Sequence, residues 1–251
     1  GAGAVAMVLS ANPRVLAFEP EYGVVTEDVM DFWRPNYLHE ALVDGKYSSR
    51  LYLGMLEKSW KQYQSLSGRG FLDHAYYCYH TPVPRLVEKA HQHLLKQTGF
   101  EHLPAEVTVK QFNDSLEYGR KIGNSYTASL YIGLTALLDL VKEDLAGKRI
   151  GFYSYGSGCV AEYFSGVIEP GYRHALHTRY HADLLATRSL LTYEDYEAFY
   201  TFHYVEDGSD QAIPVYDTGC FRLARLHKHK RIYEKVDPAA EVLLAAGDYV
   251  K

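Results

Sequence analysis

Apolar residues recur along the chain with two periods, one typical of helices and one typical of strands. Four segments carry apolar positions at helical spacing: residues 48–67, 84–99, 105–122 and 127–142. Ser48 and Ser49 are placed to cap the first of these helices and Gly68 to end it, while Gly99 ends the second. An aromatic segment predicts a further helix within residues 192–203.

Strands are predicted where bulky residues alternate or run together between glycines and prolines. The segments are residues 1–10, a stretch that starts at Arg14, residues 75–79, 149–153 and 159–168, and a short strand in the tail after residue 219. A glycine turn joins residues 149–153 to residues 159–168 and predicts a hairpin. Strands that alternate with helices indicate a layered α/β protein.

The segment AYYCYHTPVPRLVEK, residues 75–89, places two reactive side chains two positions apart. Pro82 and Pro84 end the predicted strand, so His80 stands at its carboxyl end. Side chains alternate between the two faces of a strand, which puts Cys78 and His80 on the same face. Two interpretations stay open on this geometry: a nucleophilic cysteine with a histidine base, or a packing cysteine beside a histidine that does the chemistry.

Composition and charge exclude several classes of protein. The 251 residues carry a net charge of −5, which argues against non-specific binding to nucleic acid or to an anionic membrane. The sequence has no run of 18 apolar residues, so no transmembrane helix is expected. The three cysteines form no C-x-x-C pair, which excludes zinc ribbons and favours a reducing, cytoplasmic location. The 23 tyrosines fit a cleft or a subunit contact as well as they fit a compositional habit.

Two glycine-containing segments carry polar groups suited to a ligand. In SYGSG, residues 154–158, Ser157 and the backbone N–H groups can donate to a bound molecule; a plain hairpin turn and a serine-hydrolase nucleophile are the alternatives. In GNSYTASLY, residues 123–131, Asn124 either caps the helix that follows or directs its amide at a carbonyl group.

Arg85 and Lys89 lie one turn apart on the helix that follows His80. Two cations at this spacing repel each other unless an anion lies between them. A bound phosphate explains the pair, and so does a solvated helix face.

Five segments, in this order and with similar gaps, resemble one known family: DFWRP, VDGKYS, YHTPVPRLVEK, GNSYTASLY and LAGKRIGFYSYGSG. The family is that of the 3-hydroxy-3-methylglutaryl-CoA (HMG-CoA) synthases, a branch of the thiolase superfamily. The resemblance implies a five-layered αβαβα fold built from two similar halves. Residues 1–20 are then the end of the N-terminal half and contribute its last strand. Residues 21–251 are the C-terminal half with family-specific insertions.

The resemblance also implies a role for each matching position. His80 falls on the catalytic histidine, which hydrogen-bonds the acceptor thioester and its ketone. The substrate-binding positions are Asn124 and Ser157 with Asp31 in support for the acyl group, and Ser48, Arg85 and Lys89 for CoA or phosphopantetheine. No metal ion and no redox cofactor is implied, because a Claisen-type condensation followed by thioester hydrolysis requires neither. CoA or phosphopantetheine thioesters enter as substrates.

One part of the family's machinery is not recognised in this sequence. The family's nucleophilic cysteine and general-base glutamate precede the Gly-Ala-Gly-Ala strand, and none of Cys78, Cys159 and Cys220 stands in the nucleophile's motif. We therefore expect the chain to be the larger, C-terminal part of an enzyme that is inactive without its N-terminal half. The resemblance also implies a homodimer. Cys78 is then interpreted as a packing residue.

The implied reaction joins an acetyl thioester to a β-ketoacyl thioester and gives a 3-hydroxy-3-methylglutaryl-type product. The segments VMD, GSGC and EKAHQH favour the branch that works on acyl carrier proteins in polyketide β-branching. LAGKRIG and GNSYTASLY resemble the mevalonate-pathway enzyme, which uses acetyl-CoA and acetoacetyl-CoA. A non-catalytic thiolase-fold binding module is the alternative from another class, although such a module is free to lose His80, Asn124 and Ser157.

Overall fold

The computed structural model describes residues 2–215 and 219–236. The chain divides into two compact units, Gly1–Leu176 and His177–Lys251, and every candidate site residue lies in the first. Among the described residues, none of the helices combines the length and the apolar character needed to cross a membrane.

Helices and strands alternate along the first unit. In order they are β1 (Leu16–Thr26), β2 (Phe32–Trp33), β3 (Leu42–Val43), α1 (Gly45–Ser67), β4 (Tyr76–Tyr79), α2 (Pro84–Thr98), α3 (Ala105–Lys110), α4 (Glu117–Ile122), α5 (Ala128–Leu140), β5 (Arg149–Gly156) and β6 (Val160–Ile168). Short 3-10 turns occupy Phe71–Asp73, Asn113–Leu116 and Tyr172–Ala175.

The second unit contains short helices and a small antiparallel sheet. Its elements are α6 (Thr178–Ala186), α7 (Tyr193–Tyr200), β7 (Gln211–Ala212), β8 (Phe221–His227) and β9 (Lys230–Lys235). The helix predicted within residues 192–203 is confirmed as α7. The tail holds two strands where one was predicted, because the basic residues around Lys228 form a hairpin turn between β8 and β9.

Four strands form the central sheet of the first unit, in the order β1, β6, β5, β4. β5 and β6 form the predicted hairpin, and β1 pairs antiparallel to β6. β4 pairs parallel to β5 and places Cys78 beside Phe152. Because parallel strands end at the same edge of a sheet, the residues that follow β4 and β5 meet there, and these include His80 and Ser157.

The two faces of the sheet bury different side chains. One face packs against α1 and α2, and its strand residues are Tyr77, Tyr79, Tyr153, Tyr155, Ala161 and Tyr163. The other face packs against α5, and its strand residues are Leu16, Cys78, Ile150, Phe152 and Ile168. Helices on both faces of a mixed sheet confirm the layered α/β architecture that the sequence predicts.

Tyrosine is the main aromatic residue of the face that packs against α1 and α2. The hydroxyl group of Tyr77 donates to the carbonyl of Phe71 at 2.6 Å. The hydroxyl group of Tyr153 donates to the carbonyl of Tyr52 at 2.8 Å, and that of Tyr52 donates to the carbonyl of His80 at 2.7 Å. A buried hydroxyl group costs free energy unless it is paired. Paired in this way, many of the chain's tyrosines serve as core residues.

The opening segment is not the predicted strand. Residues 2–10 have no regular secondary structure, and Val8 and Leu9 are 95% and 80% exposed. A strand requires a neighbour that pairs with its backbone N–H and C=O groups. No strand in the described part of the chain pairs with this segment.

The first helix begins earlier than predicted, and a different side chain caps it. α1 starts at Gly45, and the carboxylate of Asp44 accepts a hydrogen bond from the N–H of Tyr47 at 3.0 Å. Ser48 and Ser49 lie inside the helix, where Ser49 donates to the carbonyl of Gly45 at 2.7 Å. Ser48 is therefore not a cap.

The glycine ends of α1 and α2 follow the sequence, but the third predicted helix is divided. Gly68 and Gly99 end α1 and α2 in the left-handed conformation, with φ angles of 69° and 79°. Residues 105–122, predicted as one helix, form α3 and α4 with the 3-10 turn Asn113–Leu116 between them. At the bend the buried side chain of Phe112 turns into the core against α2 and β4.

Gly23 lets β1 approach α1 closely. A Cβ atom at this position would lie 2.1 Å from the carbonyl oxygen of Ser59 and 2.6 Å from the backbone nitrogen of Tyr63. Gly23→Ala should therefore lower the free energy of unfolding by at least about 2 kcal/mol in urea denaturation. Gly54→Ala is the control, because its Cβ meets nothing within 4 Å and alanine favours a helix interior by up to about 1 kcal/mol. A Gly23→Ala protein as stable as the wild type would contradict this packing.

Candidate functional site

His80 is fixed by its backbone at the carboxyl end of β4. Its N–H donates to the carbonyl of Tyr153 on β5 at 2.7 Å, which continues the parallel pairing by one residue. Its own carbonyl accepts from the hydroxyl group of Tyr52 on α1 at 2.7 Å. Two hydrogen bonds from two elements therefore determine where the imidazole ring leaves the backbone.

The imidazole ring of His80 is held by the start of α5. Its Nδ1 lies 3.2 Å from Oγ of Ser129. Burial lowers the pKa of His80 to about 4, and a hydrogen bond to the backbone of Tyr126 opposes part of that shift. The ring is therefore neutral at pH 7, and a neutral imidazole offers one N–H donor and one acceptor nitrogen.

Asp31 is fully buried and accepts four hydrogen bonds. Its Oδ2 accepts from Oγ of Ser48 on α1, from the hydroxyl group of Tyr155 on β5 and from Oγ of Ser157 in the turn after β5, each at 2.9 Å. Its Oδ1 accepts from the N–H of Gly158 at 3.1 Å. The carboxylate therefore joins the start of α1 to the end of β5 and the turn that follows it, two parts of the chain that are far apart in sequence.

The Asp31 carboxylate stays charged despite its burial. Burial acts to raise its pKa, but the hydrogen bonds from Ser48, Tyr155, Ser157 and Gly158 outweigh it, and the pKa lies below its ordinary value. The same carboxylate raises the pKa of Tyr155 further, in addition to burial, so this tyrosine stays protonated and donates.

The cluster around Asp31 lies next to the His80 ring. The rings of His80 and Tyr155 have centroids 6.1 Å apart, and Tyr52 lies 6.4 Å from His80 and 5.3 Å from Tyr155. The structure therefore brings His80, Asp31, Ser48 and Ser157 together at one edge of the sheet. Their roles toward a substrate remain predictions.

Ser157 is not arranged as a hydrolase nucleophile. Its hydroxyl group is exposed and donates to the carboxylate of Asp31, whereas the activated serine of a triad donates to a histidine. The imidazole of His80 is engaged with Ser129 instead. Ser157 instead lies at the rim of a shallow depression, which Thr26 and Cys159 also line. This place fits contact with a ligand.

Asn124 is exposed in the loop between α4 and α5 and does not cap α5. Its Oδ1 accepts from the N–H of Tyr126 at 2.8 Å, which closes a side-chain turn, and the cap position belongs to Thr127. Tyr126 adopts a left-handed φ of 55° there, and its ring contacts Phe32 with centroids 6.4 Å apart. Of its two predicted functions, the cap is wrong, and the amide aimed at a ligand remains a prediction.

Arg85 and Lys89 are exposed on the first two turns of α2. α2 begins four residues after His80, so the pair follows the histidine along the same surface segment. Their side chains are not part of the cluster around Asp31.

Cys78 is in the core on the α5 side of the sheet. It is 1% exposed and packs with Leu134, Ile150 and Phe152. Burial raises the pKa of its thiol well above the ordinary value, which opposes formation of a thiolate. Of the two interpretations of the Cys78 and His80 pair, the structure supports a packing cysteine.

Tyr52, Tyr155 and Ser129 contact the site but were not singled out from the sequence. The contact between Ser129 and His80 spans 49 positions of the chain, and that between Tyr155 and Asp31 spans 124. No local pattern reveals contacts of that range. Over residues 2–215 and 219–236, no three histidine, cysteine, aspartate or glutamate side chains converge as a metal ion would require.

Asp31→Asn tests the buried carboxylate. An amide offers one acceptor oxygen and presents an NH₂ group toward at least one of the four donors, so the free energy of unfolding should fall by about 2–3 kcal/mol at pH 7. Asp144→Asn is the control, because this exposed aspartate accepts a single bond from the N–H of Ala146. It should change stability by less than about 0.5 kcal/mol in the same urea denaturation.

The fall in the free energy of unfolding that Asp31→Asn causes should depend on pH. The pKa of Asp31 is lowered by folding, so its contribution is complete above the unfolded-state pKa of about 3.9 and disappears as the pH falls through the folded-state pKa. The difference between the wild type and Asp31→Asn should therefore narrow below about pH 4. An equal difference at all pH values would contradict a charged Asp31.

The chain is similar to proteins of one known family. The hydroxymethylglutaryl-coenzyme A synthase C-terminal family matches residues 94–233, more than half of the chain. That range contains Asn124, Ser129 and Ser157, while Asp31 and His80 precede it. The hydroxymethylglutaryl-CoA synthase of Enterococcus faecalis is 36% identical over 200 residues, covering 80% of this chain and 52% of that protein.

A second relative and a solved structure extend the match. The polyketide biosynthesis 3-hydroxy-3-methylglutaryl-ACP synthase PksG of Bacillus subtilis is 32% identical over 205 residues, covering 80% of this chain and 48% of that protein. A crystal structure of an HMG-CoA synthase complexed with CoA has a TM-score of 0.76 and 36% identity, covering 90% of this chain and 58% of that one. This match confirms the predicted thiolase-like α/β fold. The chain spans about half the length of the curated relatives it matches, and it belongs to the hydroxymethylglutaryl-coenzyme A synthase family.

Proposed function

We propose that this chain forms the acceptor side of an acyltransferase that condenses an acetyl thioester with a β-ketoacyl thioester to a 3-hydroxy-3-methylglutaryl-type product. The observation that carries the proposal is a neutral, hydrogen-bonded His80 beside the Asp31 cluster, at the sheet edge, in a chain of this family. No metal and no redox cofactor takes part in the proposed reaction.

His80 acts on the acceptor ketone. The attacking acetyl carbanion forms a carbon–carbon bond to the ketone carbon, and the electron pair of the C=O bond moves onto oxygen. A neutral imidazole N–H can hydrogen-bond that oxygen as its charge develops and then transfer its proton to make the 3-hydroxy group, after which the imidazolate that remains takes up a proton from water. The lowered pKa of His80 keeps the ring in the neutral form at pH 7, in which one ring nitrogen carries a hydrogen and can donate it.

The Asp31 cluster shapes the surface on which the acyl group lies. The proton of the Ser157 hydroxyl group points to Asp31, so the oxygen lone pairs and the backbone around Gly158 are what a ligand meets. The hydroxyl group of Ser48 is held to the same carboxylate oxygen. Rigid polar groups of this kind position a substrate without reorganising when it binds.

Arg85 and Lys89 bind the phosphate end of the thioester arm. Both are exposed, both lie on the first two turns of α2, and α2 begins close to His80. A phosphate that bridges two cations relieves their mutual repulsion and gains charge-assisted hydrogen bonds. In this proposal an extended phosphopantetheine arm joins a phosphate on α2 to a thioester near His80.

The cysteine that holds the acetyl group and the general base that takes its α-proton are not among the site residues described above. Cys78 is buried in the core, and the backbone of Cys159 pairs with that of Glu27, with the Cys159 N–H donating at 2.5 Å. Burial raises the pKa of both thiols, so neither favours a thiolate. The proposal therefore includes the N-terminal half and the homodimer that the resemblance implies.

The acyl groups of the proposed reaction are carried either by an acyl carrier protein or by CoA. The sequence segments that favour an acyl carrier protein agree with the 32% identity to PksG, and we propose that branch. The mevalonate-type reaction on CoA is the second candidate, favoured by the 36% identity to the Enterococcus faecalis enzyme and by the likeness to a CoA complex.

Binding of CoA, pantetheine and a holo-acyl carrier protein by the chain tests the proposal. Arg85→Gln/Lys89→Gln should weaken CoA about tenfold in isothermal titration, because two charge-assisted contacts to phosphate are lost. Pantetheine has no phosphate, and its affinity should not change. Lys96→Gln, on the last turn of the same helix, is the matched control and should leave CoA binding unaltered.

The same binding measurements distinguish the carrier-protein branch from the CoA branch and also test the proposed function. Tighter binding of the holo-carrier protein than of CoA supports the carrier-protein branch, and the reverse supports the CoA branch. Equal losses for CoA and pantetheine in the double variant would contradict phosphate binding at α2. A wild-type chain that binds none of the three ligands would overturn the proposed function.

A further inference from the structure

Ser129 differs from the other buried helical serines of the first unit in where its hydroxyl group is directed. Ser59 and Ser115 donate to carbonyls of their own helical turns, at 2.9 Å to Met55 and 2.6 Å to Phe112. Ser129, the second residue of α5, instead reaches across to the loop after β4. A helical serine that leaves its own helix for a neighbouring element carries a specific contact.

The Ser129 hydroxyl group joins two consecutive residues of that loop. Its Oγ accepts from the N–H of Thr81 at 2.9 Å and lies 3.2 Å from Nδ1 of His80. Thr81 is itself fixed, since its hydroxyl group donates to the carbonyl of Tyr79 at 2.9 Å. Ser129 is only 6% exposed, so water does not readily replace either partner.

The direction of the second bond follows from counting donors and acceptors. A hydroxyl group has one hydrogen and two lone pairs. The N–H of Thr81 uses one lone pair of Oγ, and the hydroxyl hydrogen still requires an acceptor because a buried unpaired donor costs about 1–3 kcal/mol. Nδ1 of His80 lies at hydrogen-bond distance and is an acceptor whenever the neutral ring carries its hydrogen on Nε2.

We infer that Ser129 is a positioning residue for His80: held by the N–H of Thr81, its hydroxyl group donates to Nδ1 and so sets both the orientation and the tautomer of the ring. The hydrogen of the imidazole is then on Nε2. Ser129 lies in the first turn of α5, so this contact ties the ring to the start of that helix. The start of α5 therefore acts as one support for the ring.

The inference deepens the proposed function and rests on it only for what His80 does to a substrate. In that reaction, a ring with its hydrogen on Nε2 presents an N–H to the developing alkoxide. A ring with its hydrogen on Nδ1 presents a bare nitrogen there and cannot donate. The tautomer is thus the property that Ser129 would control.

The test reads the tautomer directly, with no substrate present. The full chain is labelled with ¹⁵N-histidine, and long-range ¹H–¹⁵N spectra are recorded at pH 7, with His80 assigned by its absence in His80→Gln. The wild type should show a single neutral tautomer with hydrogen on Nε2. Ser129→Ala should lose that single pattern and give a mixture of tautomers, and Ser129→Thr, which keeps the hydroxyl group, should restore it.

A matched control separates positioning from packing. Ser115→Ala removes an equally buried serine hydroxyl group that touches the backbone and not His80, and its spectrum should match the wild type at His80. A wild-type ring with hydrogen on Nδ1, or an unchanged tautomer in Ser129→Ala, would overturn the inference. The wild-type result decides even if the alanine variant fails to fold. CoA binding measured on the same samples reports on the proposed function separately.

Discussion

The arrangement of the site depends on one buried charge, the carboxylate of Asp31. Four donors converge on it from α1, from β5 and from the turn after β5. A buried carboxylate is tolerated only when its oxygens are paired, so the positions of Ser48, Tyr155 and Ser157 are coupled through it. The end of the sheet and the first turn of α1 are thereby locked together before any ligand arrives.

The second constraint is the alternation of side chains along β4. Tyr77 and Tyr79 enter the core under α1 and α2, while Cys78 enters the core against α5. His80 follows at the point where the strand ends, and its ring is held both by the Ser129 hydroxyl group and by contacts with the rings of Tyr52 and Tyr155. The geometry of a single strand therefore buries the cysteine in the core and leaves the histidine two positions later at the sheet edge, where the proposed reaction requires it.

Much of this could be predicted from the sequence where local rules act. The strand from Tyr76 to Tyr79, α2 with its proline start and glycine end, and the β5–β6 hairpin each follow from patterns within about ten residues. The cap of α1 could not, because Asp44 and Ser48 are both good cap residues and only the backbone path distinguishes them. The strand predicted for residues 1–10 was wrong because apolar content alone does not supply a strand that pairs with the segment.

The site was predictable only in part, for a related reason. The resemblance to a family pointed to His80, Asp31, Ser48 and Ser157, and the structure brings these four together. The groups that hold them, Tyr52, Tyr155 and Ser129, act through contacts between distant parts of the chain. Such contacts depend on the packed sheet and leave no spacing pattern in the sequence.

The central claim is that His80 performs chemistry on the acceptor while Cys78 only packs. The most direct measurement is the condensation rate of acetyl and acetoacetyl thioesters by a polypeptide that contains residues 1–251 and carries out the reaction. His80→Ala should lower kcat by about 100-fold or more, the range expected when a proton donor is removed, while Cys78→Ala should leave kcat near the wild-type value. Loss of activity in a folded Cys78→Ala protein, or full activity in His80→Ala, would contradict the account.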